Sequence, residues 1–137
     1  MLVHGAGGSV RTFAVQLACD AGLHVVATAS AADAAFVRGL GAENVLDYRA
    51  ARFEENLEPV DIVIDTQGGE ARERSLRVLK DNGMLVSAAS LIPDEMARRL
   101  GERAVFFLVE VTRARLEKSA RFSIVGSASR ASGPFCR

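Results

Sequence analysis

Between an apolar strand end and a helix with apolar periodicity, residues 3–18 (VHGAGGSVRTFAVQLA) hold three glycines, Gly5, Gly7 and Gly8. A turn of this kind aims backbone N–H groups and a helix N-terminus at one point, where a diphosphate can be held without side-chain obstruction. Two spacings fit it in part. Read as G-x-G-x-x-G, it has Gly5 and Gly7, with Val10 in the last place; read as G-x-x-G-x-x-G, it has Gly5 and Gly8, with Arg11 there. A plain tight turn would use the same glycines. It is the setting, inside an alternation of strands and helices, that favours a phosphate cradle. No Gly-Lys-Ser/Thr follows the glycines, which excludes a P-loop.

The elements that must position this turn alternate along the chain. Met1–His4 reads as a short strand, and a helix from about Ser9 to Ala21 carries Val10, Phe13, Ala14, Leu17 and Ala18 at spacings of three and four before Gly22 ends it. His24–Thr28 reads as strand two. Ser30-Ala-Ala-Asp33 reads as the capping box of a helix bearing Phe36, Val37 and Leu40 and closed by Gly41. Asn44–Tyr48 is a third strand, and VDIVIDT (Val60–Thr66) a fourth, whose Ile62, Val63 and Ile64 suit burial on both faces. A helix from about Gly69 to Lys80 leads through an Asn82-Gly83 turn into the strand MLVSAAS. The helix Pro93–Leu100, the apolar strand AVFFLVE and a helix resuming near Thr112 follow.

Strands joined by helices of this length demand parallel pairing and right-handed crossovers. The expected fold is therefore α/β: a doubly wound, Rossmann-type parallel sheet ordered 3-2-1-4-5-6 in a single domain, residues 1–120. Residues 121–137 (RFSIVGSASRASGPFCR) hold four serines, three arginines, no acid and no sustained periodicity, and read as a disordered tail.

A chain of 137 residues is long enough for one domain that buries about two thirds of its unfolded surface. Seventeen basic residues balance seventeen acidic ones, so no overall field draws it to nucleic acid or to an anionic membrane. Cys19 and Cys136 have no CxxC spacing and no nearby histidine partners, so neither a disulfide framework nor a metal site is expected. A reducing cytoplasm suits them. No signal peptide precedes the first strand and no apolar run approaches membrane-spanning length, so a cytoplasmic location is expected.

In this order, VHGAGGSVRTFAVQLA, VVATAS, GAENVLDYRA, VDIVIDTQGG and LRVLKDNGMLVS resemble the nucleotide-binding domain of the medium-chain dehydrogenase/reductase superfamily. This is the C-terminal domain of zinc-binding dehydrogenases, here in their zinc-independent, quinone-oxidoreductase-like branch, and the resemblance runs from Leu2 to about Ala120. It implies NADPH-dependent reduction of a quinone or an activated C=C bond, with hydride passing from the nicotinamide. By position, it implies that Gly5, Gly7, Gly8, Ser9 and Val10 cradle the pyrophosphate. Ser30 ends strand two, where an acid would grip the ribose of NAD; VVATAS offers no acid, and a hydroxyl tolerates a 2′-phosphate, so NADPH is expected over NADH. Tyr48, with Arg49, sits where the family approaches that phosphate. Thr66, Gly68, Ser87 and Ala88 lie past strands four and five, where the cofactor crosses the sheet, and Phe106 and Phe107 lie toward the nicotinamide.

Each of these has a plainer reading. Ser30 also serves as an N-cap, and Tyr48 as a half-buried strand end. Phe106 and Phe107 alternate on a strand, which favours the core for one or both. His4 reads as structural; Asp61 and Asp65 flank the central strand, and Asp65, which could also stand as a carboxylate near the cofactor, reads as a solvated strand-end acid. No catalytic residue is expected within the chain.

Three features depart from the family pattern. Arg11 stands in the first helical turn, where the family has a glycine; overpacking costs about 1–3 kcal/mol, and although the charge would attract phosphate, weaker cofactor binding is expected. The chain begins on strand one, where family members carry a preceding substrate domain, so it is expected to be catalytically incomplete unless a separately encoded substrate domain completes it. The change of character at Arg121 reads as a truncated or shifted reading frame. One alternative is a non-catalytic dinucleotide-binding or dimerisation module, a homodimer formed through strand six. A remote one is a methyltransferase, which would want acids where His4 and Ser30 stand.

Overall fold

Strands β1 (Leu2–Val3), β2 (Val26–Ala29), β3 (Asn44–Asp47), β4 (Val60–Asp65), β5 (Leu79–Ser87) and β6 (Ala104–Phe106) pair in parallel in the order β3-β2-β1-β4-β5-β6. Helices α1 (Ser9–Asp20), α2 (Ala34–Gly39), α3 (Gly69–Ser75) and α4 (Asp94–Leu100) connect them, with single 3₁₀ turns at Phe53–Glu55 and Gly101–Arg103. The computed structural model describes residues 1–107 and, beyond them, Arg113 and Glu117. The expected α/β topology and strand order are those observed.

Because side chains alternate along a strand, the two residues of β1 feed two cores. Leu2 pairs with Val26 and Val63 and packs with Phe53, Leu85, Met96 and Leu100. Val3 pairs with Ala27 and Ile64 and packs with Val15, Ala18, Val37 and Val45. Thus α1 and α2 cover one face of the sheet, and α4 with the Phe53 turn covers the other.

Five local expectations are corrected. On α1 the large residues Val10, Phe13 and Leu17 are 65%, 51% and 46% exposed, while Val15, Ala18 and Cys19 are buried. Small side chains let the helix lie close to the sheet, and Arg11, one turn before Val15, falls on that same inner face. On α2, Phe36 is exposed while Val37 and Leu40 are buried. Helix α3 stops at Ser75, not Lys80, because β5 begins at Leu79. Val60 pairs with Leu79 but Ile62 with Met84, so the four intervening residues of β5 stand against Asp61 of β4, and Asn82-Gly83 sits in a bulge, not between elements. A Cβ at Gly83 would fall 2.6 Å from Leu79 Cδ1, which reserves the position for glycine. In β4, Val63 is buried but Ile62 and Ile64 only half-buried.

Strand six spans Ala104–Phe106 within the described residues, with Phe106 half-buried and Phe107 exposed, so neither joins the fully buried core. Its expected continuation to Glu110, the helix start near Thr112, the boundary at residue 121 and the tail lie outside the described residues. Arg113 and Glu117 are helical, and Arg113 Nε donates to Glu117 Oε1 at 2.9 Å.

Candidate functional site

The glycine turn stands where the chain reverses direction across the sheet. β1 lies between β2 and β4, and in open α/β sheets ligands bind in the crevice at the carboxyl ends of such a pair. Gly5 leaves β1 with φ +61°, a conformation favouring glycine. Its N–H donates to Thr28 Oγ1 at 2.9 Å, and the Ala6 N–H donates to the Thr28 carbonyl at 2.8 Å. β2 thus holds the turn from one side. Gly8 caps α1 in extended conformation, and the first intrahelical bonds run from the Arg11 and Thr12 amides to the Gly8 carbonyl, both 3.0 Å. The amides of Ser9 and Val10 precede those bonds, in the part of a helix whose N–H groups have no intrahelical acceptor. No acid occupies this first turn, so the positive end of a twelve-residue helix is left for an anion.

Arg11 lies across the carboxyl ends of β1 and β4. Its Nη1 donates to the Gly5 carbonyl at 3.0 Å and its Nη2 to the Thr66 carbonyl at 3.2 Å. The guanidinium therefore bridges the ends of β1 and β4. A Cβ on Gly5 would fall 2.5 Å from Gln67 Nε2 and 2.7 Å from Arg11 Nη1, so two side chains already press on the turn. The turn has glycines at its bend and two amides ahead of the first intrahelical bonds, and the guanidinium lies across it.

Beneath the turn lies a directional chain of hydrogen bonds through His4. Ser75 Oγ donates its one proton to the Ala71 carbonyl at 2.7 Å, so at its 2.6 Å contact with His4 it accepts from Nε2–H. The other ring nitrogen, Nδ1, then accepts from the Thr28 hydroxyl at 3.3 Å, and Thr28 Oγ1 in turn accepts the Gly5 N–H. His4 is 1% exposed and packs edge-on against the Phe53 ring. Burial pushes its pKa down to about 4, against a pull upward from Asp65. The ring is neutral and structural, as expected.

Asp65 overturns its expectation. It is fully buried, not solvated. Oδ1 accepts the N–H groups of Gln67 (3.0 Å) and Gly68 (2.7 Å), and Oδ2 accepts the Ser87 hydroxyl at 2.9 Å, with Arg72 Nη1 3.8 Å away. This carboxylate folds the β4–α3 turn, in which Gly68 and Gly69 both have positive φ, and ties it to the end of β5. Ser87 is thereby turned inward. Ala88 donates its N–H to the Asp65 carbonyl at 2.9 Å, and the Thr66 hydroxyl donates to the His4 carbonyl at 3.2 Å.

At the other end of the crevice, Ser30 and Tyr48 follow β2 and β3, whose last residues, Ala29 and Asp47, are paired. Tyr48 is 45% exposed, more than a half-buried strand end, and the Arg49 guanidinium lies 5.5 Å from its ring centroid. The capping box does not form as expected. Ser30 Oγ donates to Asp33 Oδ2 at 2.7 Å, α2 begins one residue after Asp33, and neither side chain bonds a helix amide. The structure thus places Gly5, Gly7 and Gly8 after β1, Thr66 and Gly68 after β4, Ala88 after β5, and Ser30 and Tyr48 after β2 and β3, all at the carboxyl ends of the strands, while Ser87 is buried on Asp65.

Thr28, Ser75, Arg72 and Asp33 were not anticipated. Thr28 sits in VVATAS as the one polar residue of a buried strand, and that was its signal. The other three act only through the tertiary fold. Among the described residues, no group of three or more His, Cys, Asp or Glu is placed to hold a metal ion, and no helix is long and apolar enough to cross a membrane.

Fold, strand order and glycine turn together define a dinucleotide-type, doubly wound domain. A family model for zinc-binding dehydrogenases matches residues 10–131, and the chain belongs to that family, within the medium-chain dehydrogenase/reductase superfamily. It is 41% identical over 83 residues to "NAD(P)H oxidoreductase RTN4IP1, mitochondrial" of Danio rerio, a match covering 58% of this chain and 21% of that protein. The chain thus spans about a fifth of the length of that relative. Among solved structures it is similar to the quinone oxidoreductase of Coxiella burnetii (TM-score 0.76, 29% identity, 93% of this chain and 41% of that one). It is also similar to the Escherichia coli quinone oxidoreductase complexed with NADPH (TM-score 0.68, 26% identity, 93% and 45%).

Proposed function

We propose that this chain is the nicotinamide-dinucleotide-binding domain of a zinc-independent medium-chain reductase, serving hydride transfer to a quinone or an activated C=C bond. The observation that carries the reading is the glycine turn between β1 and α1, beside β4, with the amides of Ser9 and Val10 ahead of the first intrahelical bonds of α1. The names of its relatives, an NAD(P)H oxidoreductase and quinone oxidoreductases, support the same chemistry. In this reading Gly5, Gly7, Gly8 and the amides of Ser9 and Val10 hold the diphosphate. Thr66, Gly68 and Ala88 border the path across the sheet, while Ser87 and Asp65 shape it from below. The dinucleotide, when bound, supplies the hydride; the chain's own residues bind and orient it.

By residue type Ser30, Tyr48 and Arg49 speak for NADPH, as does the NADPH complex of a structural neighbour, although Ser30 gives its proton to Asp33. Asp33, held beside Ser30, speaks against it. Acceptor recognition is assigned to a substrate domain on the same or a separate polypeptide. The buried Cys19 thiol, which donates to the Gly41 carbonyl at 3.1 Å, suits a reducing, cytoplasmic setting.

Calorimetric titration of the folded chain with each dinucleotide tests the proposal. Saturable binding of at least one is expected, and binding of neither would refute it.

A second reading, a homodimer through β6, has one observation in its favour. β6 is an edge strand among the described residues, and Val105 and Phe107 are 37% and 43% exposed there. Size-exclusion chromatography returning a monomer at micromolar concentration would remove it.

A further inference from the structure

We infer that Asp33 sets the choice between the two nicotinamide dinucleotides, and sets it against the one carrying a 2′-phosphate. The inference rests on the dinucleotide reading above. Asp33 lies four residues past the end of β2, and VVATAS itself holds no acid. The fold nevertheless turns its side chain back onto the glycine turn. A Cβ built on Gly7 would fall 2.7 Å from Asp33 Oδ2, 2.9 Å from Cγ and 3.2 Å from Cβ. The Asp33 N–H donates to the Ser30 carbonyl at 3.0 Å, and Ser30 Oγ donates to Oδ2, which fixes the carboxylate at the end of β2.

Three details give that carboxylate a part in recognition. It caps nothing, since no helix amide bonds to it, so its position does not follow from a need of α2. It is half-buried, where a charge is less screened than at the open surface. And Ser30, whose one proton goes to Oδ2, no longer has that proton to give a phosphate. In doubly wound domains a carboxylate beside the glycine turn at the end of β2 accepts a hydrogen bond from the adenosine ribose. A 2′-phosphate at the same place would set two anions against each other. No basic residue occurs from Thr28 to Val37 to offset this. Arg49 is exposed, and its guanidinium stacks on Tyr48 beyond β3.

The test is isothermal titration of the full chain with NADH and NADPH, and with 5′-AMP and 2′,5′-ADP as fragments. The unphosphorylated member of each pair is expected to bind about tenfold or more tighter, the size of a like-charge contact in a partly solvated site. Asp33→Asn, which keeps shape and an acceptor, is expected to recover most of that factor for NADPH. NADPH binding as tightly as NADH to the wild-type chain overturns the role of Asp33 and leaves the dinucleotide reading standing. An unchanged ratio in Asp33→Asn does the same. Should that variant not fold, the wild-type ratio at low and high salt decides, since a repulsive origin narrows it as salt rises and a constant ratio overturns it. Binding of neither dinucleotide, in a chain that melts cooperatively, overturns the parent reading and this one with it.

Discussion

Replacing Arg11 by glycine is expected to tighten dinucleotide binding. The guanidinium donates to the carbonyls of Gly5 and Thr66 at 3.0 and 3.2 Å, and so lies across the turn that a diphosphate would approach in the proposed reading. Both bonds must break for the ligand to reach the turn. A hydrogen bond to a charged group is worth about 1.5–3 kcal/mol net when buried. Arg11 is half-exposed, and water takes up much of what the carbonyls release, so about 1–2 kcal/mol for the pair is the reasonable scale. That corresponds to roughly a 5- to 30-fold fall in Kd. The cost lies in the fold: a glycine in the first helical turn loses at most about 1 kcal/mol of helix preference. The bridge between β1 and β4 is lost as well. Arg11→Gly should therefore bind more tightly, by calorimetry or nicotinamide fluorescence, while melting somewhat lower. Arg11→Met, keeping bulk without the donors, should fall between. A variant that binds as the parent does, or less tightly, would refute the reasoning; the second result would mean that the guanidinium pivots to grip phosphate.

Two further outcomes concern stability. Asp65→Ala leaves the amides of Gln67 and Gly68 and the Ser87 hydroxyl without their acceptor, and the buried Arg72 without its counter-charge. A loss of about 3–5 kcal/mol is expected, read as a lowered urea midpoint, and a midpoint within experimental error of the parent would show that the carboxylate does not organise the turn. For His4, burial depresses the folded-state pKa from 6.5 to about 4, so between those values the unfolded chain binds more protons than the folded one. Stability should be complete above about 6.5 and decline as pH falls through that window, by at most the order of 3 kcal/mol. Glu54, its carboxyl held low chiefly by the Arg74 hydrogen bond, adds a further decline below 4.5. Urea midpoints at pH 7.5 and 5 that coincide would contradict the His4 account.

The alternation of strands and helices was legible because each strand is a short apolar run bounded by glycine, proline or a cap, and topology then follows from chain handedness. The glycine turn was legible too, since its residue types have few other uses. Helix orientation was not. Val10, Phe13 and Leu17 match helical spacing as well as Val15, Ala18 and Cys19 do, and only the distance between α1 and the sheet decides which stripe faces inward. Asp65 was misread for a related reason: a carboxylate at a strand end is usually solvated, and the donors that bury it come from residues 67, 68 and 87. Asp33 was read as part of a capping box from local spacing, whereas its neighbour in space, Gly7, lies twenty-six positions earlier.

The middle of the sheet is its slenderest part. β1 contributes two residues there, against six from β4 and nine from β5. Opening along that line would break into both cores, because Leu2 packs with Val63 and Leu85, and Val3 with Ile64. The Arg11 side chain is one stitch across this seam. A nucleotide lying along the same line would be another, so occupancy and the mechanical unity of the domain should rise and fall together.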